Sequence, residues 1–167
     1  VAVGWTVIDG ENHLSTRIQP EFSMKKFGIG LDIPLVYNLD QQTFRTEEYS
    51  NGVGIMRFVR YLRYGKKKSS RIYARVGDMT GTALGFGGLI NNFSSVTSFE
   101  RRKVGLQIEA TIIKKVFGVE TMYSDMQLSS LNLFGERTYL RPLGFTDIPI
   151  LNSLEFGWSL VKDKDNT

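Results

Sequence analysis

The side chains best suited to chemistry in this chain are its arginines and its glutamates. Arg57, Arg63, Arg71, Arg75, Arg137 and Arg141 all lie within or beside strand-like segments, as do Asp32, Glu109, Glu120 and Glu155. A guanidinium presents five donors in a rigid fork that matches phosphate and carboxylate groups, so a wall of arginines would favour anions. The same charges can instead neutralise one another, because an enclosed charge without a partner is too costly to keep. Glu109 and Glu120 flank Lys114-Lys115, and a hairpin centred there would bring the two carboxylates together. Across an enclosed interior, such carboxylates serve as counter-ions to arginine more often than as an acid–base pair.

Other chemistries are poorly supplied. There is no cysteine, which excludes disulfides and thiolate metal sites, and one histidine, His13, which excludes a histidine-rich one. His13 sits in the turn-like run from Asp9 and reads as a polar loop residue; no serine has the setting of a nucleophile. Asp163-Lys-Asp-Asn spaces oxygen ligands as calcium loops do, but lacks the glycine and distal glutamate of that motif. Gly85-Phe-Gly-Gly lacks the lysine and hydroxyl residue of a phosphate loop. The reading is therefore no catalytic residue, no metal, no cofactor and no enzymatic activity. The run from Tyr61 to Arg75 interleaves aromatics with basic residues, as nucleic-acid binders do, but Lys66 to Lys68 stand where a hairpin turn belongs. Nucleic acid is not an expected partner.

The elements that must position these charges are strands. From Phe27 to Tyr37 the alternation is strict, with Phe27, Ile29, Leu31, Ile33, Leu35 and Tyr37 on one face and Gly28, Gly30, Asp32 and Pro34 on the other. The apolar phase changes across Lys25-Lys26, as a tight hairpin requires, so Thr16–Met24 and Phe27–Tyr37 read as its two arms. Lys103–Ile112 and Val116–Tyr123 repeat the device. Leu154, Phe156, Trp158 and Leu160 alternate against Glu155, Gly157 and Ser159. Asp78 to Phe99, rich in glycine and low in charge, reads as a compact connection with one short helix from Thr82. In all, about nine antiparallel strands emerge, with no helical region long enough for α/β layers.

The 167 residues carry a formal charge of +4, and no apolar run is long enough for a membrane helix. The polar face is rich in glycine, at Gly28, Gly30, Gly105, Gly118 and Gly157. Glycine weakens an exposed strand, so its repetition implies crowding or curvature on that side. Apolar residues outward and small or charged residues inward is the pattern of a membrane barrel. The expected fold is thus all-β: an antiparallel β-barrel of about eight to ten strands, transmembrane, whole or partial. Residues 1–167 would be a single barrel domain or a fragment of a larger barrel. Arg57, Arg63, Arg71, Arg75, Arg137 and Arg141 would be its lumen-facing bases, and Asp32, Glu109, Glu120 and Glu155 its lumen-facing acids. The alternative is a soluble β-barrel or β-sandwich acting as a binding or structural module.

Several stretches carry a resemblance as well: F-G-I-G-L-D-I-P-L from Phe27, Y-L-R-Y-G-K from Tyr61, I-Y-A-R-V-G from Ile72, L-G-F-G-G-L-I-N-N-F from Leu84, R-R-K-V-G-L-Q-I-E from Arg101 and L-E-F-G-W-S-L-V-K-D from Leu154. Together they resemble uncharacterised outer-membrane β-barrels, porin-like, of Gram-negative bacteria of the Bacteroidota and Chlorobiota kind. That resemblance implies the bacterial outer membrane as location. It also implies membrane lipid as partner and a porin-like role, to which the arginine-lined lumen adds passage or binding of small anionic solutes. Such proteins are usually longer and carry an export signal, so this chain would be a trimmed or partial barrel.

Overall fold

The computed structural model describes residues 2–45, 58–95, 103–126 and 133–163; Arg57 lies outside them. Twelve strands occur among these residues: β1 (Ala2–Ile8), β2 (Glu11–Ile18), β3 (Glu21–Met24), β4 (Phe27–Leu31), β5 (Ile33–Asn38), β6 (Thr43–Phe44), β7 (Val59–Tyr64), β8 (Ile72–Gly77), β9 (Gly105–Ile113), β10 (Phe117–Tyr123), β11 (Leu133–Leu140) and β12 (Phe156–Asp163). They form a four-stranded sheet in the order β1-β2-β5-β6 and an eight-stranded sheet in the order β12-β11-β10-β9-β8-β7-β4-β3. The chain divides into two compact units, Val1–Leu62 and Arg63–Thr167.

In the first unit, Asp9-Gly10 turns β1 into β2. Both residues have positive φ (52° and 84°), and Ile8 sits opposite Glu11. A two-residue turn of this kind matches the strands' right-handed twist. His13 therefore lies in a strand rather than in the expected loop. β2 pairs with β5 and β3 with β4 in one continuous register, linked by the Leu31 N–H donating to the Pro20 carbonyl at 2.9 Å. Pro20 has no amide hydrogen, and Asp32 turns its N–H to the Phe58 carbonyl at 2.8 Å, so the ladder breaks at this point. The Lys25-Lys26 hairpin is thus real, but it is divided along its length: the β3–β4 pair next to the turn belongs to the eight-stranded sheet and the β2–β5 pair to the four-stranded one. On its polar face a side chain at Gly30 would run into the Tyr61 ring, which is buried there.

In the second unit, β8 to β12 form an antiparallel meander. The connection after β8 is as compact as its composition implies, but it contains no helix among residues 78–95. Instead Thr82 and Phe93 exchange backbone hydrogen bonds at 3.0 and 2.8 Å, and Gly81, Gly85 and Gly87 take the left-handed conformations that let it fold back. Its Met79, Leu84 and Ile90 join Met122 of β10 in the buried apolar cluster, with Phe93, Leu133 and Val161 around it. Tight approach needs glycine beneath: a side chain at Gly105 would strike Met79, and one at Gly135 would strike Ile90. Gln107, Glu109, Glu120 and Arg137 are also buried, whereas Ile72, Ile112, Trp158 and Leu160 are exposed.

These sheets overturn the barrel. A barrel gives every strand two neighbours, yet the order of each sheet begins and ends on an edge: β1 and β6 in one, β12 and β3 in the other. The all-β class stands; closure does not, and the described residues alone hold twelve strands where eight to ten were expected. The periodicity that suggested a barrel belongs equally to an open antiparallel sheet, because alternation records two unlike faces and carries no information on closure. The expectations tied to the barrel fall with it: transmembrane strands, a porin, an outer-membrane location and membrane lipid as partner. No helix among the described residues is long and apolar enough to cross a membrane.

The buried cluster makes a direct demand on stability. Met122→Ala should cost about 2–5 kcal/mol, read as a lower urea midpoint, because the site is enclosed and cannot refill. Ile72→Thr, on the open face, should stay within about 0.5 kcal/mol of the parent.

Candidate functional site

Pairing of β8 to β12 places five polar side chains in one row across the sheet. Tyr73 stands opposite Glu109, Glu109 opposite Glu120, Glu120 opposite Arg137, and Arg137 opposite Ser159. Residues directly opposite in an antiparallel sheet project from the same face, about 4.5–5.5 Å apart. Two carboxylates side by side repel, and the next residue in the row answers them. Arg137, only 5% exposed, donates from Nη1 to Glu120 Oε1 at 3.0 Å and from Nη2 to Glu155. Glu155 also accepts from Arg141 Nε at 2.7 Å, and Glu120 from the Gly85 N–H at 2.7 Å. Glu109 is held by the Lys68 N–H at 3.2 Å, by Gln107 Nε2 at 3.2 Å and by Lys67 Nζ at 3.4 Å.

Glycine makes room for this network. A side chain at Gly157 or Gly85 would collide with the Arg137 guanidinium, and one at Gly118 with the Tyr139 hydroxyl. The Arg137 guanidinium lies over two rings, 5.2 Å from the Phe86 centroid and 5.4 Å from that of Tyr139; Arg141 is 5.0 Å from Tyr139. Cations over aromatic faces are attracted by the ring quadrupole, more strongly where water is excluded.

Beside the network is an open cavity of about 580 Å³. Arg71, Arg137, Arg141, Glu109, Glu120 and Glu155 all line it. Of the other charged residues singled out in the sequence, Arg63, Arg75 and Asp32 lie elsewhere. Arg63 donates from Nη1 to the Gly65 carbonyl at 3.1 Å, and Arg75 lies beside Tyr73, whose hydroxyl is pushed above its ordinary pKa chiefly by burial. Asp32 is buried in the first unit, where Arg17 pairs with it. Sequence reasoning missed Phe86, Tyr139, Thr111, Ser70 and the turn lysines Lys68, Lys114 and Lys115, which also line the cavity. The signal for Phe86 was present, since a glycine-rich connection with so little charge must lie against something. His13 lines a separate 340 Å³ pocket in the first unit with Glu11, Asn38 and Gln41, its Nδ1 3.0 Å from the Glu11 carbonyl. Among the described residues, no three acidic or histidine side chains gather closely enough to hold a metal ion.

No protein-family model, curated protein or solved structure matches this chain. The resemblance to outer-membrane barrels therefore has no relative behind it, and the open sheets contradict it.

Two expectations follow from the row. Arg137→Ala leaves buried Glu120 with the Gly85 N–H but no cation, and Glu155 with Arg141 alone, so it should cost about 3–5 kcal/mol in urea unfolding; replacing Glu120 by Gln in the same chain should recover part of that loss. Glu109 is different, because burial holds its carboxyl above the ordinary carboxylate range, with Lys67 opposing and Glu120 reinforcing the shift. The folded state then binds this proton more tightly than the unfolded chain. Its contribution is full below the unfolded pKa and is lost as pH rises through the raised folded value. Glu109→Gln should flatten stability against pH across that window and match or exceed the parent above it.

Proposed function

We propose that this chain is a β-sheet binding module that acts without catalysis, and that its site is the cavity beside Arg137. The ligand class that suits it is a small hydroxyl-rich molecule such as a sugar. The observation that carries this reading is the mixed chemistry of one wall. Arg71, Lys114, Lys115 and Arg141 offer donors, Glu109, Glu120 and Glu155 offer acceptors, and Phe86 offers a flat apolar face. Phe86 is 79% exposed, unusual for a ring that touches a buried ion pair. A hydroxyl both donates and accepts, so it can insert between such groups without leaving either unpaired. The volume is within the ordinary range for small-molecule sites, about 300–1,000 Å³.

Binding rather than catalysis is supported by the state of the acids. Glu120 and Glu155 are tied to Arg137 and Arg141, which leaves them as fixed acceptors instead of free proton carriers. A network satisfied before the ligand arrives is also preorganised, and so loses little entropy on binding.

Amide shifts in a titration with methyl glucoside and, separately, with methyl glucuronoside test this directly. Saturable shifts at Gly85, Phe86 and Lys115 are expected, weakened about tenfold or more by Phe86→Ala, since loss of a stacking face is worth on the order of 1.4 kcal/mol. Absence of saturable shifts with both sugars, in a chain whose spectrum shows it folded, would sink the reading.

A further inference from the structure

Natural sheets seldom leave a long, regular strand uncovered at an edge, because its free N–H and C=O groups form a template for another strand. Edges are usually kept short, bulged, interrupted by proline or crowded with charge. β3 has four residues and β6 has two, so both are blunted by length. β12 is not. It runs eight residues without proline, in unbroken register with β11, and among the described strands it is hydrogen-bonded on one side alone. Phe156, Trp158 and Leu160 on its open face are all exposed, Trp158 by 63%.

We infer that the β12 edge pairs antiparallel with the β12 edge of a second copy of this chain, about a two-fold axis at Leu160. The sequence of the strand is complementary to itself in that register. Leu160 meets Leu160 of the other copy. Trp158 meets Lys162, and Lys162 meets Trp158, so each copy supplies a cation to the other's indole, the ring that attracts cations best. On the opposite face Ser159 meets Val161 and Gly157 meets Asp163, and no like charges fall opposite one another. The axis is perpendicular to the sheet, which keeps the apolar faces of both copies on the same side and makes the interface isologous. Among the described strands β1 is the other long one at a sheet edge, with Val3, Trp5 and Val7 exposed. It holds no charged residue to set against its tryptophan, so it lacks the pairing that selects β12 for itself.

The absence of native cysteine makes the test clean, since any introduced thiol is the only one present. Directly opposite residues in an antiparallel pair are about 4.5–5.5 Å apart at Cα, within the span of a disulfide. Mild oxidation of the full chain carrying Leu160→Cys should give a covalent dimer, while Thr6→Cys on β1 should not. In sedimentation equilibrium the parent should be a discrete dimer. Leu160→Lys, which sets like charges opposite one another at a half-exposed position, should weaken it on the order of tenfold or more with the circular dichroism spectrum unchanged. A parent that is monomeric at every concentration overturns the inference. So does cross-linking at Thr6→Cys but not at Leu160→Cys, or an association that Leu160→Lys leaves intact.

Discussion

The interaction on which the second unit depends is the desolvated guanidinium of Arg137 between Glu120 and Glu155. Cross-strand pairing alone would set Glu109 beside Glu120 and leave like charges in a buried row. Arg137, one strand further on, reverses the sign of that arrangement, and Glu155 brings Arg141 in behind it. A buried ion pair gains little net stability over a well-packed apolar alternative, but losing one partner is severe. Such a network acts chiefly as a lock on register. Slipping β11 by one residue against β10 would turn Arg137 to the open face and Glu136 inward, adding a third carboxylate where a cation is needed.

The lock accounts for features that otherwise look unrelated. Gly85, Gly118 and Gly157 surround the Arg137 and Tyr139 side chains because the guanidinium and the ring need the volume a Cβ would take. The connection after β8 is tied down at both levels: its Gly85 N–H bonds Glu120, and its Leu84 and Ile90 pack on Met122. Polar and apolar parts of the core therefore cooperate. One connection serves both: its Leu84 and Ile90 complete the apolar cluster, and its Gly85 N–H donates to the ion-paired Glu120.

Much of this was legible in the residues. Alternation gave the strands on both sides of Lys25-Lys26 and Lys114-Lys115, and glycine on the polar face foretold crowding there. The spacing about Lys114-Lys115 foretold the meeting of Glu109 with Glu120. The Asp9-Gly10 turn is legible too, but the loop reading runs on past it to His13, because β2 (E-N-H-L-S-T-R-I) is polar and lacks apolar alternation; its pairing to β1 and β5 had to come from neighbours. Two things were beyond reach. Closure depends on which strands end as neighbours, a long-range property that period-two alternation does not encode. The contribution of Phe86 depends on a connection folding back over the sheet, which composition suggests without fixing where it lands.

The face polarity that favoured a barrel has a different explanation in open sheets. A strand whose charged side is covered and whose apolar side is exposed is costly, since apolar area left in water forfeits about 25 cal/mol per Å². The second unit tolerates this because its order comes from the covered face. There the glycines admit close packing, Met122 is fully enclosed, and each buried carboxylate of the row meets a cation or an N–H donor. Exposed Ile72, Ile112 and Trp158 then carry little of the fold's stability. Their freedom from that duty separates the two faces by role, the covered one specifying register and shaping the cavity, the open one presenting apolar surface beside a free strand edge.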